Sequence, residues 1–525
     1  MRSATIDTYD VIPYNSTPLT DTHPANLAAI GRWFGLSPAD PTGCRVLELG
    51  CAAGGNIIPL AWYHPGMTLL GVDLSSRQIA AGQAMVDRLG LGNITLLRAN
   101  ILDLEPATLG LFDYILVHGV WSWVSPQVQT HILTLCRACL APQGIAYISY
   151  NTLPGWRMRG MVRDMLLFHT LDLSEPRERL AAARSFLREL AVSMAEDTSV
   201  VGRYLAQEAR ELSQANPSYL FHEYLETTNT PILFADFAAQ AAEYGLEYLA
   251  EAELSSMFPS TLPLAAQGLV APLEALVEQE QYMDFVRHRH FRKTLLCHEN
   301  SELDRDLDLD QLREFSLYAQ LRPVDEFCRL EKVETEDFQA PDGTHYQVHH
   351  PLTKGALLYL AEIYPSSVAF TELEAIAVAK VVEAGGGDWT REGDLLTSEL
   401  FALYAHRAVR LTQQPQSLYQ GLPLQPRTHG LARAQVAAGL NHLATIRHTT
   451  LEIDRLAGKL VLLMDGTRTV DGLAVELAAD LAQQAAEEVV TGGTTVPELP
   501  PEAQFRSSCQ RLALLFARNG LLEAV

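Results

Sequence analysis

Residues 46–61 read VLELGCAAGGNIIPLA. Apolar positions flank Glu48 in an extended run, Gly50 to Gly55 carry almost no side-chain bulk, and helical spacing resumes from about Asn56. A strand that turns into a helix offers backbone N–H groups and a partly positive helix end, so a ligand is expected against Gly50, Cys51, Ala52, Gly54 and Gly55. A dinucleotide would call for Gly at 50, 52 and 55, and Ala52 breaks that pattern.

Outward from this turn the pattern alternates. A helix over NLAAIGRWFGL (26–36) precedes the first strand; TLLGVD, ITLLRA, YILVHG and IAYISY read as further strands, with helical stretches such as RQIAAGQAMVDRLG and VQTHILTLCRACL between them. Strands joined by helices pair in parallel, which predicts an α/β, doubly wound Rossmann-like sheet with its ligand at the carboxyl ends of the strands. Those ends carry Asp73, about 20 residues past the glycine loop and spaced to accept ribose hydroxyls; Asn100, placed for an adenine amino group or as a turn former, with Ile101 beside it; and His118 with Gly119.

Glu48, the glycine loop, Asp73, Asn100 and His118 stand in the order of a class I S-adenosylmethionine-dependent methyltransferase, which this chain resembles. YDVIPYNSTPLTDTHP, LELGCAAGGN, HGVWSWV, YNTLPGW, FHEYLE and QYMDFVRHRHFRKTLLCH look like the members that carry a methyltransferase regulatory domain, the group containing the rickettsial outer-membrane-protein lysine methyltransferases. HPLTKGALLYLAEIY and LLMDGTR resemble the winged-helix-like end of the same proteins. The resemblance implies S-adenosylmethionine as cofactor, with its ammonium on Glu48 and Cys51, Asn56, Leu74 and Gln78 around it. It also implies a methyltransferase domain over 1–155, a helical regulatory domain over 156–300 and a winged-helix-like region over 301–525. His23 and Asp10 are placed by it on a flap over the cofactor, whereas Asp21 and Thr22 before Pro24 read equally as a helix start.

Methyl transfer from a sulfonium needs alignment and exclusion of water more than acid–base chemistry. Tyr9, Tyr14, Trp121, Trp123, Tyr150 and Trp156 are candidate walls of an aromatic cage, each with core packing as the plainer alternative. A lysine acceptor, the one the resemblance implies, must first lose a proton from an ammonium of pKa near 10.4. His118, Tyr14 and Tyr150 are the candidates to take or position it, with Trp121 as a cage wall. A small-metabolite methyltransferase and a non-catalytic cofactor-binding regulator are the rival readings.

The remaining signals bound the answer. A net charge of −24 opposes nucleic-acid binding, and a lysine-bearing protein is the expected partner. No window approaches the roughly 18 apolar residues of a membrane span, and the amino terminus lacks an export pattern, so a cytoplasmic protein is expected. The first 292 residues contain no lysine, which would spare an amine methyltransferase its own modification or reflect an Arg-favouring genome. Residues 157–300 read as nearly all helical, with Met158, Met161, Val162, Met165 and Leu166 on one face. Cys136 and Cys139 fall within a helix, Asp304 to Asp310 lack the glycine of a calcium loop, and His345, His349 and His350 lack a helix to space them, so no metal is expected. The basic run Arg287 to Lys293 reads as an exposed helix face, and FQAPDGTHYQVHH as a hairpin.

Overall fold

The computed structural model describes residues 8–14, 16–387, 389, 391–418, 421–490 and 502–523. The chain divides into two compact units, one of residues 1–17, 30–86 and 91–304, the other of residues 18–29, 87–90 and 305–525.

In the first unit β1 (Arg45–Leu49), β2 (Thr68–Asp73), β3 (Ile94–Arg98), β4 (Phe112–Val117) and β5 (Leu140–Asn151) pair in parallel, the helices Ile57–Tyr63, Ser76–Leu89 and Pro126–Cys139 supplying crossovers. The central strand is β1, with Leu47 opposite Leu70 on one side and Ile115 on the other. A parallel strand covered on both faces needs a continuous apolar run. Val46, Leu47, Leu49, Ile115, Leu116 and Val117 meet that need and are fully buried.

The all-helical reading of 157–300 fails at two places. Leu246–Glu251 forms β6 and Phe291–His298 forms β7, which complete a seven-stranded sheet of order β3-β2-β1-β4-β5-β7-β6 with β7 antiparallel to both neighbours. LEYLAE has the composition of a helix, but pairing along β7 and cover from the helix Phe234–Glu243 override that preference. The sheet therefore takes its last two strands from the segment assigned to the regulatory domain.

Between β5 and β6 lie the helices Gly155–His169, Pro176–Ser193, Val200–Gln214 and Pro217–Tyr224, around a core that includes Val162, Leu166, Leu187, Phe221 and Tyr224. Val162, Leu166 and Met165 of the Met-rich face are thus core packing, while Met158 and Met161 are only partly buried. Asn216 starts the last of these helices by accepting from Ser218 N, with Pro217 following at a position that needs no N–H donor.

The basic run is also re-read. Arg292 sits on β7 at 1% exposure, its guanidinium bonded to Asp284 at 2.8 and 2.9 Å, to Glu251 at 2.7 Å and to Glu280 at 2.8 Å, and stacked 3.9 Å from the centre of the Phe234 ring. Burial among other carboxylates pushes Glu280 up to about 7.

In the second unit the expected hairpin is present, Glu336–Gln339 running antiparallel to His345–Val348. Leu443, Leu460, Val461, Leu473, Leu477 and Phe516 form a core in its carboxyl half. Residues 18–29 belong to this unit: Arg407 bonds Asp21 at 2.6 Å and His23 packs its ring on His448. His23 Nδ1 accepts from Ala25 N at 3.0 Å, so His23 caps the helix Pro24–Trp33, in keeping with the helix-start reading of this stretch. The loop-rich stretch after Val490 lies largely outside the described residues. Among the described residues no helix is long and apolar enough to cross a membrane, and no cluster of three or more His, Cys, Asp or Glu is arranged for a metal ion.

Candidate functional site

The turn after β1 is tight because its neighbours demand it. A Cβ on Gly50 would lie 2.4 Å from Val120, and one on Gly55 would lie 2.0 Å from the backbone oxygen of Ser16. Part of the glycine pattern thus accommodates this protein's own chain. Ser16 lies over the loop, and Gly55 N donates to its Oγ at 2.7 Å. Ala52 adopts φ 49°, a left-handed conformation that a non-glycine residue takes at some strain, and its N–H donates to Asp73 Oδ2 at 2.8 Å. The other Asp73 oxygen accepts from Ser75 N at 2.8 Å. A carboxylate oxygen accepts more than one hydrogen bond, which is the acceptor chemistry that ribose hydroxyls require.

Glu48 is buried, 4% exposed, at the end of β1. Its Oε1 accepts from Asn56 Nδ2 at 2.9 Å, while Oε2 has no hydrogen-bond partner among the described residues. Burial pushes the Glu48 carboxyl up to about 7, the Asn56 amide pulls it partly back, and Asp73 adds repulsion. A buried acceptor without a donor is costly. The ammonium of an amino-acid moiety against the glycine loop supplies the missing donor and charge, so the residues present fit S-adenosylmethionine.

Asn100 begins a short 3-10 turn, Ile101–Asp103, with its Oδ1 accepting from Leu102 N at 3.0 Å. That oxygen acts as a cap. Ile101 is partly buried beside it, and Leu74 is 60% exposed. Gln78 is buried and donates to the Tyr14 carbonyl at 3.5 Å, which ties the overlying segment to the cofactor side.

His118 and Gly119 follow β4. His118 Nδ1 lies 3.0 Å from the Tyr147 hydroxyl and 3.2 Å from Ser149 Oγ, which also accepts from Gly119 N at 2.9 Å. The imidazole is therefore oriented by two β5 side chains. Tyr150 and Trp121 do not form a cage. Both are core residues: Tyr150, 1% exposed, bonds Thr294 Oγ1 at 2.9 Å and stacks on Phe237, and Trp121 meets the same ring edge-on. Tyr150 on β5 and Trp121 in the 3-10 turn Trp121–Trp123 are both covered by Phe237, which leaves neither ring an exposed side.

Tyr14, 39% exposed, lies with its ring 5.7 Å from that of His222 on the helix Pro217–Tyr224. Burial raises its phenol, with the negative Glu223 adding to the effect. A separate run of rings, Tyr219, Tyr224, Trp156 and Trp123, has centroids 6.4, 5.9 and 6.4 Å apart, with Tyr224 and Trp156 buried. His222 Nε2 meets the Ile12 carbonyl at 2.6 Å, and Glu226 accepts from Thr8 Oγ1 at 2.6 Å, which pins residues 8–14 to the helical module. Ser16, Tyr147, Ser149 and His222 join the site without a spacing motif. For His222 the one signal is FHEYLE, where polar groups interrupt a largely apolar run.

Comparison with known proteins agrees with this geometry. Residues 46–144 match the family model "Methyltransferase domain", 216–298 the "Predicted methyltransferase regulatory domain", and 425–502 the "PKMT, C-terminal winged helix domain". An uncharacterized protein of Rickettsia prowazekii is 38% identical over 315 residues, 60% of this chain and 57% of its own length, so the chain spans little more than half of that relative. A second protein of the same organism is 38% identical over 44% of this chain and 93% of its own length. The structure of PKMT2 from Rickettsia typhi superposes with a TM-score of 0.83 at 28% identity, covering 97% of this chain and 100% of that one. Its complex with AdoHcy gives 0.82 at 27% identity over the same shares. A Rossmann-like sheet with Glu48 and Asp73 flanking a glycine turn, a regulatory domain that completes the sheet and a PKMT-type winged-helix end converge: the chain belongs to the class I S-adenosylmethionine-dependent methyltransferases and resembles the rickettsial PKMTs.

Proposed function

We propose that the protein transfers methyl groups from S-adenosylmethionine to lysine side chains of a protein substrate. The observation that carries this reading is the likeness to Rickettsia typhi PKMT2 along 97% of the chain, helical module and winged-helix end included. The arrangement at the carboxyl ends of β4 and β5 agrees with it. An alkylammonium is drawn to aromatic faces by about 0.5–2 kcal/mol per ring, and Tyr14, 39% exposed, offers one.

The cofactor, when bound, supplies an activated methyl carbon on a sulfonium. This chain's residues do the rest. Glu48, Asn56 and the loop from Gly50 to Gly55 hold the amino-acid end, Asp73 the sugar, and Asn100 with Ile101 border the base. Ile12, Tyr14 and Ser16, fixed by His222, Gln78 and Gly55, help exclude water from the site. His118, held by Tyr147 and Ser149, positions the acceptor amine.

Incubation of the protein with tritiated S-adenosylmethionine and lysate tests the proposal. Label in acid-precipitable material, mapped by mass spectrometry to methylated lysine, is the expected result. Label confined to small molecules, or binding without turnover, overturns it.

A further inference from the structure

The chain has five lysines, all among the described residues, and four of them are tied into regular structure. Lys293 lies on β7, partly buried and opposite Ser149 in the interior of the sheet. Lys380 and Lys459 are partly buried on the helices Phe370–Glu383 and Arg455–Leu463. The first meets Glu362 at 3.2 Å and lies 5.9 Å from the centre of the Tyr359 ring, and the second bonds Asp480. Lys354, on the helix Pro351–Ile363, is fully buried, and its ammonium donates to the carbonyls of Arg329, Lys332 and Glu334 at 2.5, 3.0 and 3.2 Å.

Those three carbonyls decide how the fifth lysine is presented. They belong to residues 324–335, which join the antiparallel strands Arg322–Pro323 and Glu336–Gln339 without regular structure. An ammonium has three protons to donate, and the buried Lys354 gives all three to this loop, so it fixes the bend from inside. Glu334 N donates to the Lys332 carbonyl at 3.1 Å, and Arg329 Nη1 holds the Glu334 carboxylate at 2.9 Å. With its backbone held in this way Lys332 is exposed, as are Glu331, Val333, Glu334 and Thr335 around it. Its ammonium makes no hydrogen bond or ion pair among the described residues. Val333 next to it and Phe327 on the same loop, 58% and 80% exposed, add apolar surface for a binding site to grip.

We propose that Lys332 is a self-methylation site, the one lysine of this chain that its own transferase activity can use. A methyl acceptor must bring a lone pair into line with the methyl carbon inside a site that excludes water. The amine therefore has to leave its own surface on an extended side chain, from backbone that is not committed to a helix or a sheet. Lys332 meets both conditions and the other four meet neither. In the step one N–H bond of the Lys332 ammonium breaks, the proton passing to water and the electron pair staying on nitrogen. That pair forms the new C–N bond as the C–S bond of S-adenosylmethionine breaks with its pair on sulfur, giving methylated Lys332 and AdoHcy. The inference rests on the lysine reading and names a substrate for it within the chain.

The test has two arms, both on the full chain and both read by mass spectrometry of its peptides. In the first, formaldehyde with cyanoborohydride methylates accessible amines without the enzyme's help; Lys332 is expected to react fastest of the five lysines and Lys354 slowest. In the second, the purified chain is incubated with S-adenosylmethionine carrying a deuterated methyl group and with no other protein. Label is expected on Lys332, and Lys332→Arg is expected to lose that label while methylating lysate protein at the wild-type rate. A Lys332 that reacts with formaldehyde no faster than Lys380 and Lys459 overturns the proposal, as does enzymatic label that favours another lysine of the chain. Wild type that methylates lysines of lysate protein but leaves Lys332 bare also overturns it, with the lysine reading left standing. Label on no lysine, in the chain or in the lysate, sinks both.

Discussion

Glu48→Gln separates what the buried carboxylate does to the fold from what it does for the cofactor. In the ligand-free protein the folded-state pKa of Glu48 is raised from 4.5 to about 7 by burial, with Oε2 unpartnered. A carboxyl whose folded value lies above its unfolded value opposes folding when it ionises. The penalty is absent below about pH 4.5, grows as pH rises, and is complete above about pH 7 at roughly 3 kcal/mol. Gln removes the charge but buries an amide N–H in its place, which takes back roughly 1–2 kcal/mol. Ligand-free Glu48→Gln should therefore be more stable than wild type at about pH 8 by roughly 1–2 kcal/mol, with the advantage gone near pH 4. Cofactor binding should go the other way. Losing a charge-assisted hydrogen bond to an ammonium costs about 1.5–3 kcal/mol, so AdoHcy should bind roughly 10- to 150-fold more weakly. Denaturant titration at the two pH values and calorimetry with AdoHcy read the two effects separately. A variant that binds AdoHcy like wild type, or that gains no stability at the higher pH, would refute the reasoning about Glu48.

Gly55→Ala would drive a methyl group into the Ser16 carbonyl 2.0 Å away, so residues 8–17 should lift; AdoHcy calorimetry should show at least about a tenfold loss of affinity, near 1.4 kcal/mol. Arg292→Met leaves Glu251, Glu280 and Asp284 buried without their shared cation and should cost about 3–5 kcal/mol in urea unfolding. Tyr150→Phe removes the bond to Thr294 and should cost about 1 kcal/mol of stability with turnover unchanged; a large fall in rate at equal folded fraction would return Tyr150 to the catalytic group.

The first five strands and the glycine turn were legible because each is a local pattern: an apolar run, a run of small residues, a resumption of helical spacing. β6 and β7 were not, because their pairing is decided by partners far along the chain. Leu296 of β7 faces Ala146 on one side and Tyr248 on the other, and nothing near FRKTLLCH announces either. Arg292 read as surface charge for the same reason, since Glu251 lies 41 positions away. At the site, Glu48 and Asp73 stood at motif spacing, whereas Ser16 and His222 reach it through tertiary packing. Tyr150 and Trp121 were misplaced because an aromatic at a strand end looks the same in sequence whether it faces solvent or a covering helix. Phe237, the ring that covers both, arrives from that insertion.

The position of β7 between β5 and β6 has a consequence for biosynthesis. On the ribosome, β5 emerges with one hydrogen-bonding edge bare, and the strand that seals it ends only at His298. Until then the nascent chain presents an apolar, aggregation-prone border. The helices in between are spliced into the sheet at both of their ends, so no nonsense or frameshift lesion removes them and leaves a closed catalytic half. A lineage could remodel this insert by substitution or internal deletion, but could not discard it from either terminus.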